Sequence, residues 1–259
     1  MIVGIVRFSV LLNNAKAWVS SQAEDQAAIL FTDERLAARF ALFESATLPF
    51  MKGETSHFLI LISTLLPAQW LQRLHDDIAG ADHIHIRAIA PEGSMTPTIT
   101  KFLTEQRDGD EAICTYRLDD DDAMPPGRTA LLTRRMRSGA KIIAHRNGIW
   151  LRWNNGLEFT EVDTVGNGVG IASVAKVTDE NIYTLGRHTQ LPLKYDTYVI
   201  NTRAGWLRSV HDMADTAGRH NVTWRPLVGK DLEFFAARYP YIDLERYGAA
   251  LRINADIAP

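Results

Sequence analysis

Four consecutive aspartates, Asp119 to Asp122 in YRLDDDDAMPP, follow directly on AICTYRL, a run with the composition of a buried β-strand. Adjacent carboxylates repel and raise one another's pKa unless a cation compensates them, so four in one turn are most simply explained by a divalent metal. Asp119 and Asp121 lie two apart, which at a strand end directs both side chains to one side. Oxygen donors of this kind suit Mg²⁺, Mn²⁺ or Ca²⁺, and a site with one or two protein carboxylates completes its shell with water and phosphate oxygens. The expected ligand is therefore a diphosphate. A calcium loop opened by Asp119 fails on spacing, because Met124 and Ala130 stand where it needs glycine and glutamate. A solvated acidic turn is the plainer alternative for a charge run. The flanks argue against it: a hydrophobic strand leads in and AMPP stops the chain at once, which fixes the carboxylates at a corner.

Elements of alternating type must position that corner. IVGIVRFSVLL is rich in β-branched residues, as a strand covered on both faces would be. DERLAARFALFESATLPF places Leu36, Phe40 and Phe43 at helical spacing and predicts an amphipathic helix stopped by Pro49. HFLILIS is a second buried strand, and AQWLQRLHDDIAG a helix ended by Gly80. HIHIRAI, with His83 and His85 two apart, is a third strand with one exposed face; TITKFLTEQ begins a helix, and EAICTYRL is the fourth strand. This alternation predicts an open α/β sheet, mostly parallel and flanked by helices, in which ligands bind at the carboxyl ends of the strands. Beyond Ile142, KIIAHRNGIWLRWNNGLEFTEV predicts antiparallel hairpins with Asn-Gly turns, a smaller mixed region. RAGWLRSVHDMADTAGR and KDLEFFAARY are expected to be helical. No linker separates residues 1–140 from 141–259, so the chain is expected to form one domain of two halves.

The totals narrow the partners. Twenty-eight basic and 31 acidic side chains give a net charge of −3, which supplies no general attraction to nucleic acid. The single cysteine, Cys114, is set among apolar residues as a core residue, and a chain without disulfides fits a reducing cytoplasm. The apolar start lacks a basic leader region and is interrupted by Arg7, unlike a secretion signal. No stretch approaches the roughly 20 apolar residues of a membrane span.

RLDDDDAMP resembles the metal-binding Asp-x-Asp motif of GT-A glycosyltransferases. More specifically, VRFSVL, RFALFESATLPF, FLILISTLLP followed by Trp70, YRLDDDDAMP and WLRSVHD occur in the order seen in a bacterial rhamnosyltransferase family. The resemblance implies a GT-A fold, a residue 1–140 half that binds a nucleotide sugar, and a residue 141–259 half that faces the acceptor. It implies a Mn²⁺ or Mg²⁺ cofactor, with Asp119 at the metal or the ribose, Asp121 on the metal, and Asp120 and Asp122 behind them or toward the acceptor. His211 of WLRSVHD would be a further metal contact, ahead of His188 and His220. Arg7 and Arg39 would hold the donor, by phosphate or carboxylate pairing; a helix-surface ion pair is an equal alternative for Arg39. Glu158, Glu161 and Asp163 are candidates for a base acting on the acceptor hydroxyl, and GNGVG (Gly166 to Gly170) for a mobile turn or lid. RRMR, Arg134 to Arg137, is expected to be a solvated helix face, with peripheral membrane contact as the second option. The acceptor would be a glycan or lipid-linked saccharide. Two further readings stay open: a sugar-binding protein without activity, with Trp150, Trp153, Trp206 and Trp224 as stacking surfaces, and a nucleotidyltransferase or phosphohydrolase.

Overall fold

The computed structural model describes residues 1–11, 23–211 and 222–256. Its first half runs β1 (Ile2–Arg7), α1 (Ala23–Leu30), α2 (Asp33–Leu42), a π-helical turn (Phe43–Thr47), α3 (Leu48–Gly53), β2 (His57–Ser63), α4 (Ala68–Ile78), β3 (Ile84–Ile89), α5 (Met95–Gln106) and β4 (Ile113–Asp119). There follow β5 (Asp122–Ala123), α6 (Arg128–Met136), β6 (Ile142–His145), β7 (Asn147–Trp153), β8 (Leu157–Asp163) and β9 (Ile171–Ala175). The chain continues with α7 (Leu191–Lys194), β10 (Thr197–Ile200), β11 (Leu207–Ser209), β12 (Arg225–Pro226), α8 (Gly229–Arg238) and α9 (Leu244–Asp256).

Seven strands form one sheet in the order β10-β6-β9-β4-β1-β2-β3. All neighbours are parallel except β9, which is antiparallel to both β4 and β6. The period of two along each strand feeds two cores. Val6 and Ile2, Phe58 and Ile60, and Tyr116 and Leu118 enter the core on one face; Val3, Ile5, Leu59, Leu61 and Ile113 enter the core on the other. Each such side chain stabilises the fold by about 1.5–3 kcal/mol through burial. Strands from both halves share this sheet, since β6, β9 and β10 lie beyond residue 140.

A second sheet, β12-β8-β7-β11-β5, packs under α8 and α9 through Phe159, Phe235, Tyr239 and Tyr247. β7 and β8 form the expected hairpin, and the turn is at Asn155-Gly156. The other Asn-Gly pair is not a turn: Asn147 and Gly148 open β7, where a Cβ on Gly148 would lie 2.1 Å from the Trp206 ring. The glycine is there for close approach and Trp206 is core, not a sugar platform.

Two further expectations are corrected. Pro49 does not stop the helix but falls in the first turn of α3, where a missing N–H is tolerated, after the wide π turn. The described start of RAGWLRSVHDMADTAGR, up to His211, is not helical: Leu207–Ser209 is a strand parallel to β7 and antiparallel to β5, because Leu207 and Ser209 are buried in alternation. The remainder of that predicted helix, and His220 after it, lie outside the described residues. Among the described residues, no helix is long and apolar enough to cross a membrane.

Candidate active site at the β4–β5 corner

The four aspartates occupy the joint between the two sheets. Asp119 ends β4, in register with Arg7 at the end of β1, and parallel strands about 4.8 Å apart bring such partners together. Arg7 accordingly donates to Asp119 Oδ1 from Nε (3.0 Å) and Nη2 (2.8 Å). Arg117, two residues back on the same strand face, reaches Asp119 Oδ2 at 3.4 Å. Burial pushes the Asp119 carboxyl up, but Arg7 and Arg117 override it and hold it down at about 2.

Asp120 and Asp121 turn toward α2. Arg39 donates from Nε to Asp120 Oδ2 at 3.2 Å, from Nη2 to Asp120 Oδ1, and from Nη1 to Asp121 Oδ2 at 3.0 Å. Burial raises Asp120 to about 6 against the pull of Arg39. On its other side Asp121 Oδ2 meets His211 Nε2 at 2.8 Å, 90 residues away in sequence. Despite burial, Arg39 and His211 hold Asp121 below the usual carboxylate range, while burial lowers His211 against the attraction of Asp121. His211 Nδ1 is buried without a hydrogen-bond partner among the described residues.

Asp122, on β5 opposite Arg208, is buried, and its Oδ1 lacks a partner among the described residues. Burial, with Asp121 and Asp119 adding to it, raises its carboxyl well above the usual value. The backbone of the run is held independently. Ser209 Oγ donates to the Asp121 carbonyl, and Thr47 Oγ1, at the end of the π turn, donates to the Asp122 carbonyl at 2.8 Å. Glu54 fixes the exit: its carboxylate accepts the N–H groups of Gly127 (2.6 Å), Arg128 (3.0 Å) and Thr129 (2.7 Å) and the Thr129 hydroxyl (2.6 Å). Gly127 takes φ 81°, a left-handed turn suited to glycine, and α6 starts there.

The structure thus joins Arg7, Arg39, Asp119, Asp120, Asp121, Asp122 and His211 in one corner. It does not bring Glu158, Glu161 and Asp163 to it. All three lie on β8 of the second sheet and pair with Arg152, Arg203 and Arg146 respectively. Glu161 is in register with Ile149, Leu207 and Ala123 across three strand spacings, about 14 Å of sheet from the residue beside Asp122. His188 lies beside the corner, its Nδ1 3.3 Å from Arg117 Nη1, with its pKa lowered to about 4 by burial and Arg117. Gly168 of GNGVG packs near the same guanidinium. Arg117, Thr47, Glu54 and Ser209 were missed in the sequence; only Arg117 carried a signal, its i, i+2 relation to Asp119.

A cation fits one part of this site. Asp121 and His211 supply an oxygen and a nitrogen donor already in contact, a combination that suits Mn²⁺. Asp119 is turned away to its arginines, and among the described residues no three acidic, histidine or cysteine side chains are arranged to hold a metal ion together. A metal here would rest on two protein ligands and take the remainder from phosphate and water.

The seven-stranded, mostly parallel sheet flanked by helices is the α/β fold expected from the sequence. A family model described as Putative rhamnosyl transferase matches residues 1–222, and the chain belongs to that family, a glycosyltransferase family. No curated protein matches the chain. Among solved structures, a putative nucleotide-diphospho-sugar transferase from Desulfovibrio desulfuricans G20 is similar at 11% identity over 98% of this chain and 94% of that one, with a TM-score of 0.43. TarS 1-349 of S. aureus shows 9% identity over 80% of this chain and 60% of its own, at a TM-score of 0.40. Rv0371C of Mycobacterium tuberculosis H37Rv, in complex with manganese, shows 10% identity over 80% and 90%, at a TM-score of 0.37.

Proposed function

We propose that the β4–β5 corner binds a nucleoside-diphosphate sugar and transfers its sugar, of the rhamnose type the family description names, to a hydroxyl of a glycan or lipid-linked saccharide. The observation that carries this reading is the meeting of Asp121 and His211 at 2.8 Å, at the carboxyl end of the central strands. Ligands of open α/β sheets bind at that end. Arg7 and Arg117 hold Asp119 in a fixed rotamer facing the donor, and Arg39 keeps Asp120 and Asp121 from repelling one another apart. Asp121 and His211 would hold Mn²⁺ or Mg²⁺, which when bound supplies positive charge to the departing diphosphate. Asp122, whose carboxyl is raised well above its usual value by burial, would face the acceptor side.

Calorimetric titration with UDP, GDP, dTDP and CDP, with Mn²⁺ or Mg²⁺ and again with chelator, tests the reading. Binding of one nucleotide that depends on metal is the expected result. Absence of binding under every condition would overturn it in favour of a sugar-binding protein without activity.

A further inference from the structure

Arg128, the first residue of α6, is only 2% exposed, yet its Nε, Nη1 and Nη2 atoms all lack a hydrogen-bond partner among the described residues. Its guanidinium lies over the Tyr116 ring, 5.5 Å from the centroid, a contact that offsets part of the charge and accepts none of its N–H groups in hydrogen-bond geometry. The carboxylate that acts on it, Glu54, is taken up by the backbone of the same turn and by Thr129. A buried cation without a partner is costly, and the cost is removed when a ligand supplies the missing acceptors.

Arg128 borders a cavity of about 210 Å³ whose wall also contains Arg134, Arg238, His145 and Thr202. No aspartate or glutamate lines it, and it shares no lining residue with the acidic corner. His145 is buried, with Nδ1 3.3 Å from Thr202 Oγ1. Burial, reinforced by Arg128 and Arg238, holds that imidazole at about 2, so it stands in the wall as a neutral polar group. Three arginines, a hydroxyl and an imidazole around a half-open cavity form an acceptor-seeking site, and a planar guanidinium pairs best with the oxygens of phosphate or carboxylate.

We propose that this cavity is a second binding site, distinct from the acidic corner, for a phosphate group with Arg128 as its central contact. The group arrives either as the free ion or as part of a phosphorylated organic molecule.

Thermal unfolding of the full chain in chloride buffer, with inorganic phosphate, inorganic pyrophosphate or butyl phosphate added, tests this. A saturable rise in Tm is expected for the wild type and for Arg7→Gln, which weakens only the corner, and its loss is expected for Arg128→Met. In buffer without phosphate, Arg128→Met should melt at or above the wild type, since the unpaired charge is gone. Arg134→Gln and Thr202→Val should each weaken the response several-fold, which decides the matter if Arg128→Met fails to fold. A response to butyl phosphate indicates an organic ligand; a response to the free ions alone indicates inorganic phosphate. Equal responses in wild type and Arg128→Met, or none in the wild type up to tens of millimolar, would overturn the proposal. Nucleoside-diphosphate binding that survives in Arg128→Met keeps this outcome separate from that of the transferase reading.

Discussion

One guanidinium, that of Arg39, serves two adjacent carboxylates: its Nε lies 3.2 Å from Asp120 Oδ2 and its Nη1 3.0 Å from Asp121 Oδ2. Asp120 is almost wholly buried, so its charge depends on that pairing. Breaking a buried ion pair from one side leaves an uncompensated charge and costs about 3–5 kcal/mol. Arg39→Met is therefore expected to lose that much in urea unfolding, and Arg39→Met with Asp120→Asn to recover most of it. A single variant that unfolds at the wild-type midpoint would show the pair to be inert.

Asp121→Ala should abolish sugar transfer and leave the fold intact. The Asp121 carbonyl, which Ser209 holds, survives the substitution, and Arg39 keeps Asp120. The checks are turnover and far-UV circular dichroism. Near wild-type turnover would remove Asp121 from the mechanism.

Glu54 replaces four solvent contacts of the α6 entry with charge-assisted bonds. Glu54→Ala is expected to cost about 2–3 kcal/mol in denaturant unfolding, the combined order of a lost helix cap and a lost charged acceptor. Turnover should fall as well, because the freed segment follows directly on the aspartates. A change under about 0.5 kcal/mol, the usual range of surface substitutions, would contradict this.

Asp77, on α4, has its carboxyl raised from 3.8 to about 6 by burial and by Glu44. The folded state therefore binds the proton more tightly than the unfolded state. The stability from this group is fully present below about pH 4 and is lost as pH rises through about 6. Asp77→Asn should remove that decline and raise Tm at pH 7. Parallel pH–Tm curves for the two proteins would refute the assignment.

The parallel strands and α4 were legible in the sequence because doubly covered strands carry continuous apolar runs and Gly80 marks a stop. The strand at Leu207–Ser209 was not, since three residues between turns carry too short a pattern to separate strand from helix. In the site, the aspartates and Arg7 announced themselves by type and position at strand ends. Glu54 and Thr47 did not, because their role is to bind backbone atoms about 75 residues away, and a backbone partner leaves no mark on the sequence.

The π turn at Phe43–Thr47 gives the α2–α3 segment one residue more than an uninterrupted α-helix would hold. Deleting that residue would tidy the hydrogen bonds yet rotate everything after it by about 100°. Thr47 would leave the Asp122 carbonyl, and Phe50 and Met51 would swing off the core while Arg39 stayed in place. The surplus residue acts as a phase setting between two gears, one engaging the aspartates from above and one engaging the sheet below. A single-residue loss there would put both gears out of mesh at once.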